Sequence, residues 1–274
     1  MAEHAQAQAP DTPADTQNTA TGLPGAEEGA EEGAPDAAAP APPASALRIT
    51  LPDGAQLADA PTRLAAPARL GFDVRGKVKG FDYSAHAELL WQHDGARYQA
   101  QQRISAFLLG ARTQTSQGAL GTRGLVPERF DDQARRLRSA TLDFAQQRAH
   151  FSRPDTPPAP IAEGAQDRLS VFLQLGALIA AAPGRYPEGT RITIDTVGPT
   201  DVAPWSFVVR EAQALELPMG RVSTLRLERL PHGTRAQRGE LWLDPDIGYL
   251  PARIRLSEDN GDFAELSLRS IEAP

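Results

Sequence analysis

The chain has 274 residues, no cysteine, and 35 Asp and Glu against 28 Lys and Arg, for a formal charge of −7. Without thiols there is no disulfide, thiolate zinc site or cysteine nucleophile. No stretch reaches the roughly 18 consecutive apolar residues of a membrane-spanning helix, so no such span is expected.

The acidity is unevenly placed. Residues 1–45 carry Glu3, Asp11, Asp15, Glu27, Glu28, Glu31, Glu32 and Asp36 with no Lys or Arg, so the remainder of the chain is close to neutral. The same stretch is rich in Pro and Ala and nearly free of large apolar side chains. It cannot bury enough surface to offset chain entropy, which predicts a disordered acidic tail or linker over 1–45 and a single β-rich domain over 46–272. A near-neutral domain argues against a nucleic-acid partner, which needs a basic surface. Met1-Ala2-Glu3-His4-Ala5 offers neither a basic n-region nor an apolar core, so no signal peptide is read in the chain as given. Two placements follow: a cytoplasmic protein, or a periplasmic or cell-envelope protein whose anchor lies upstream of Met1. An extended Pro/Ala/acid spacer suits the second.

Along the domain the apolar residues alternate with polar ones. Leu47-Arg48-Ile49-Thr50-Leu51 is expected as a first edge strand, and strand behaviour continues through Phe72, Val74 and Val78. The clearest segment is Phe81 to Gln92, whose odd positions are all apolar, giving one dry and one wet face. Asp94-Gly95 predicts a tight hairpin, with the return strand through Tyr98, Ala100, Ile104 and Ala106. Strands follow at Thr113 to Gln117, Leu125 to Phe130, and around Ala140, Leu142 and Phe144, until the proline run Pro154 to Pro160 is expected to stop regular structure.

A helix is then predicted over Asp167 to Ala182, with Asp167 as its cap and Pro183-Gly184 as its end. It is apolar almost all round and, at about 16 residues, too short to span a bilayer, so it should be buried. Strand patterns resume at Ile192 to Ile194, Trp205 to Val209, Val222 to Leu230, Glu240 to Leu243, Ala252 to Leu256 and Phe263 to Ile271, the last after an Asn260-Gly261 turn. About ten to twelve strands with hairpin-length connections predict a mainly β fold: a strongly curved antiparallel sheet, a half-barrel or open barrel, with one buried α-helix on its concave side.

No residue pattern carries catalysis. The five histidines lack metal-ligand spacing, and Asp244-Pro245-Asp246-Ile247-Gly248 reads as turn chemistry rather than a calcium loop. Gly-x-Ser-x-Gly is absent, and Lys77 and Lys79 are the only lysines, which leaves no phosphate loop. No catalytic residue, metal or cofactor is therefore expected. Strand carboxylates such as Asp73, Glu88, Glu240 and Glu265 leave a hydrolase as one alternative.

The aromatic pattern points elsewhere. Phe81, Tyr83, Leu89 and Trp91 share a strand face with the small Ala85 and Ala87 between them, and Trp205 and Phe207 lie in the second half. Small residues between large ones either admit the helix closely or leave a groove for an apolar ligand, and these six residues are the candidate ligand-binding set.

Five phrases recur in an order that resembles a known family: Leu125-Val126-Pro127-Glu128-Arg129-Phe130, Gln166-Asp167-Arg168-Leu169-Ser170, Leu217-Pro218-Met219-Gly220, Leu241-Trp242-Leu243-Asp244 and Tyr249-Leu250-Pro251-Ala252-Arg253-Ile254. From Arg69 to Ile271 the chain resembles a proteobacterial family known as domain of unknown function 3108. That family is similar in fold to the envelope lipoprotein carriers, whose curved sheet wraps an apolar groove closed by helices. The resemblance implies a non-catalytic envelope protein that binds a lipid or an acylated protein, and it brings no catalytic residues. A structural or interaction module with an envelope partner, its sheet filled by its own helix, is the alternative.

Overall fold

The structure, a computed structural model, describes residues 45–106, 110–231 and 237–274. The acidic tail expected over 1–45 lies outside these residues except for its last position. In chain order the strands are β1 (Leu47–Thr50), β2 (Ala68–Val78), β3 (Phe81–His93), β4 (Arg97–Ala106), β5 (Gly110–Gly121), β6 (Gly124–Gln133), β7 (Leu137–Asp143), β8 (Arg148–Phe151), β9 (Ala159–Pro160) and β10 (Gln166–Asp167). The helix α1 (Ser170–Ala181) follows, then β11 (Arg191–Val197), β12 (Val202–Leu217), β13 (Gly220–Arg229), β14 (Arg238–Asp244), β15 (Leu250–Ser257) and β16 (Phe263–Glu272).

All strands belong to one 16-stranded sheet in the order β1-β11-β12-β13-β14-β15-β16-β2-β3-β4-β5-β6-β7-β8-β9. Pairing is antiparallel except for β10, which runs parallel to β11 beyond the end of β1. The hydrogen-bonded path stays open, so the sheet is curved but not closed into a barrel. Its two flanks meet through side chains instead. Ala140 and Leu142 of β7 and Ala149 of β8 form one apolar cluster with Ile161, Ala165 and Val197 of β11.

Period-two alternation produces this shape. In β3, Ala85, Ala87, Leu89 and Trp91 are buried while Asp82, Ser84, His86 and Glu88 are exposed. The same alternation in β2 and β4 makes one continuous dry face, and burying that face drives the curl. Helix α1 lies on it. Val171, Leu175, Leu178 and Ile179 are sealed in the same core as Phe72, Trp91, Phe207 and Leu241, so strands from both halves of the sheet enclose the helix. Each large side chain sealed in this way contributes about 1.5–3 kcal/mol relative to exposure.

The helix is tied to one end of the curl, the end that carries the turns at 94–96 and 245–249. Gln174 donates to the Arg123 carbonyl at 2.8 Å and accepts from Leu125 N at 3.0 Å. Gly176 lies so close to the Tyr249 carbonyl that a Cβ there would collide with it. The connection between β1 and β2 covers the same end: Arg63 N donates to Ala177 O, and Ala65 O accepts from Trp91 Nε1 at 3.0 Å.

Two expectations are corrected. The helix starts at Ser170 rather than Asp167, because Asp167 is held in the short strand β10 and caps from outside, its Oδ1 accepting from Leu169 N and Ser170 N. The proline run ends in strand β9, whose Ala159 and Pro160 pair with β8 at the sheet's edge, where a missing N–H costs nothing. Pro127 and Pro251 each sit inside a strand at a bulge, with Gln117 opposite Arg129 but Gly118 opposite Pro127, and Trp242 opposite Arg253 but Leu243 opposite Pro251. The extra residue in each bulge is the one after the proline, Glu128 and Ala252, and bulges are among the few places where a strand tolerates proline.

Candidate functional site

The inner face of the sheet changes along its length. At the helix end Leu70, Phe72 and Val74 of β2 are buried, as are Tyr98 and Ala100 of β4. Towards the other end, marked by the turns at 79–80 and 258–262, Val78 of β2 and Gln102 and Ile104 of β4 are only half-buried. Strand β3 shows the gradient most sharply, from Trp91 at 1% and Leu89 at 2% exposed to Phe81 at 77%. The dry face therefore outruns the helix that covers it.

The open end also gains polar groups. On β5, Ser116 at the sealed end gives way to Gln114 and Arg112, both half-buried. Arg112 donates bidentately to Asp132 of β6 at 2.8 and 2.5 Å. On the far wall the Arg229 guanidinium lies 4.1 Å over the Trp205 ring, a cation–π contact. The Tyr83 ring folds over Gly76, where a side chain would collide with it. Its hydroxyl is buried with no hydrogen-bond partner among the described residues, and desolvation pushes its pKa up to about 12.

The predicted ligand set is thus divided. Leu89, Trp91 and Phe207 are sealed in the core with the helix. Trp205 is half-buried and meets Phe172 of α1 and Phe207 at 6.2 and 6.4 Å between ring centroids, so the helix supplies its neighbour. Tyr83 and Phe81 lie at the open end. The crevice beside Trp91, lined by Leu64, Leu173, Gly176 and Tyr249, has a volume of about 10 Å³, which is room for one water.

Sequence reasoning missed a buried polar clasp. Ser116 Oγ donates to Asp167 Oδ2 at 2.5 Å, and Tyr98 OH lies 2.9 Å from Ser116 Oγ. Asp167 N donates to Ser170 Oγ at 2.9 Å, so the clasp joins β4 and β5 to β10 and the start of the helix. Burial lifts the Asp167 carboxyl to about 6 against the opposing hydrogen bonds from Ser116, Ser170 and Leu169. The only sequence signal was the cap position of Asp167; its partners lie far away in the chain.

The four strand carboxylates weighed for a hydrolase stand on the convex face, each against a base. Asp73 faces His86 and Arg269, Glu88 pairs with Arg69, and Glu240 pairs with Arg226. Glu265 is held between Arg75 and Arg255. Burial raises its pKa, but hydrogen bonds and charge from Arg75, Arg253 and Arg255 outweigh this and hold the carboxyl below its ordinary value. Among the described residues no group of three or more His, Asp or Glu is placed to hold a metal ion. No helix among them is long and apolar enough to cross a membrane.

The family model described as protein of unknown function DUF3108 matches residues 79–269. The chain belongs to the DUF3108 family. The matched DUF3108 span begins after β2, although β2 is a central strand of the sheet. No curated protein matches the chain. Among solved structures the DUF3108 fold is similar to a β-barrel-like protein of domain of unknown function DUF1849 from Brucella abortus. The TM-score is 0.52 at 13% identity, over 78% of this chain and 99% of that one. A protein described as exported, with a YmcC-like fold, from Bacteroides fragilis aligns with a TM-score of 0.32 at 9% identity, over 78% of this chain and 100% of that one. At these identities the first likeness speaks for the fold alone, a barrel-like curved sheet.

Proposed function

We propose that this DUF3108 protein is a non-catalytic cell-envelope protein that binds an apolar ligand, such as a lipid, at the open end of its concave face. The observation that carries this reading is the burial gradient along β3, from sealed Trp91 to exposed Phe81. A face that only had to be filled would end where its helix ends. The half-buried Tyr83 and Ile104 and the unpartnered Tyr83 hydroxyl fit a surface of apolar groups with few polar anchors. The expected likeness to lipoprotein carriers and the spacer composition of the first 45 residues support an envelope location.

Native mass spectrometry of the full chain after exposure to a bacterial lipid extract tests this. One-to-one lipid complexes are expected, and Phe81→Asp should deplete them. A second reading, an interaction module with no ligand, is favoured by the roughly 10 Å³ crevice beside Trp91, where the helix already fills the sheet. A spectrum showing only the bare chain would choose that reading.

A further inference from the structure

One corner of the surface is basic. From the β6–β7 turn into β7 the chain reads Arg135-Arg136-Leu137-Arg138, and Arg136, Leu137 and Arg138 are exposed. Ser152 N donates to the Ser139 carbonyl at 2.9 Å and Ser139 N donates to Ser152 Oγ at 2.8 Å, so the end of β8 sets the exposed Arg153 beside Arg138. Arg136, Arg138 and Arg153 make no ion pair among the described residues. Arg135 has a partner of its own and adds nothing to the surplus. Of the acids around them, Asp131 is engaged by Arg129 and Asp132 by Arg112, which leaves the exposed Asp155 against three arginines.

The acidic segment of the same chain joins the domain beside this corner. Ala46 is sealed in the apolar cluster that holds Ala140 of β7 and Ala149 of β8, and Ser45 is half-buried next to it. Ala140 is two residues from Arg138, about 7 Å along the strand. Glu32 stands thirteen residues before Ser45, and thirteen residues span at most about 45 Å. The repeat Glu27-Glu28-Gly29-Ala30-Glu31-Glu32 can therefore reach the arginines, and a tether of this kind holds its end at an effective concentration in the millimolar range. Guanidinium groups bind carboxylates through paired, charge-assisted hydrogen bonds. An anionic bilayer is the other natural partner of an arginine patch with an exposed leucine, but the eight acids ahead of the domain repel it.

We propose that the acidic repeat 27–32 docks on the arginine corner of its own domain, at Arg136, Arg138 and Arg153. The chain has no cysteine, so Ala30→Cys gives the full chain a single site for a nitroxide spin label. At about 20 mM salt, where charges act over about 20 Å, the label should at least halve the amide signals of residues 136–138 and 152–153, and about 0.5 M salt should restore them. Replacing Arg136, Arg138 and Arg153 together by Gln should abolish the broadening, and these exposed sites leave the core untouched. Replacing Glu27, Glu28, Glu31 and Glu32 by Gln should abolish it as well. Arg63→Gln, at an exposed arginine of the helix end, should leave it unchanged. Broadening that is absent at low salt, or that survives in the triple arginine variant, would overturn the docking. The parent chain should show no arginine-dependent sedimentation with phosphatidylglycerol vesicles. Sedimentation that the triple arginine variant removes would assign the corner to a bilayer and overturn the proposal.

Discussion

Asp167 has no access to solvent, and desolvation lifts its carboxyl from 3.8 to about 6. The folded state therefore binds this proton more tightly than the unfolded chain does. The stabilising contribution is complete below about pH 4 and is lost as the pH rises through about 6, on the order of 3 kcal/mol in all. Asp167→Asn keeps an oxygen for Leu169 N and Ser170 N while removing the titration. Its urea-unfolding free energy should be flatter than that of the parent between pH 4 and 6, and a parallel pair of curves would contradict this. The cap itself was legible, since an acid ahead of an apolar run is an N-cap signal. Tyr98 and Ser116 were not, because alternation marks them only as inner-face positions and says nothing of which distant residue they meet. The same limit applies to Arg229 and Trp205, whose contact depends on the pairing of β12 with β13.

At the scale of elements, α1 acts as a plug pinned at one end. Gln174 is 3% exposed and satisfies two backbone groups of the turn between β5 and β6. Gln174→Leu would leave both unmet and should cost about 1–3 kcal/mol in chemical denaturation. Gly176→Ala should also destabilise: the helix propensity gained, about 1 kcal/mol, is outweighed by the collision with the Tyr249 backbone, and overpacking of this kind costs about 1–3 kcal/mol. A variant more stable than the parent would show that the turn yields freely. The existence, type and burial of the helix could be read from its all-round apolar pattern. Its first residue could not, because Gln166-Asp167 is drawn into pairing with β11, a choice made by tertiary contacts. The order Pro-x-Arg recurs in Pro127-Glu128-Arg129 and Pro251-Ala252-Arg253, and alternation alone does not say what it means. It marks the same bulge built twice, with each arginine turned outwards, Arg129 onto Asp131 and Arg253 over Trp242.

For the whole molecule, period-two alternation and one apolar helix were enough to specify a curved antiparallel sheet around a buried plug. They did not specify how far the plug reaches. Leu89 and Tyr83 are indistinguishable in the pattern of β3, yet one is sealed and the other lies where the helix no longer covers the sheet. Helix length supplies the reason. Twelve residues of helix rise about 18 Å, whereas the 13 residues of β3 extend about 43 Å, so a plug anchored at one end does not itself reach the other.

Hydrogen exchange of the full chain with and without dodecanoate tests this division most directly. Ligand should slow exchange at residues 81–84 and 102–105 while α1 stays protected in both states. Exchange that quickens in α1 on adding ligand, or that changes nowhere along β3 and β4, would contradict a fixed plug beneath an open binding end.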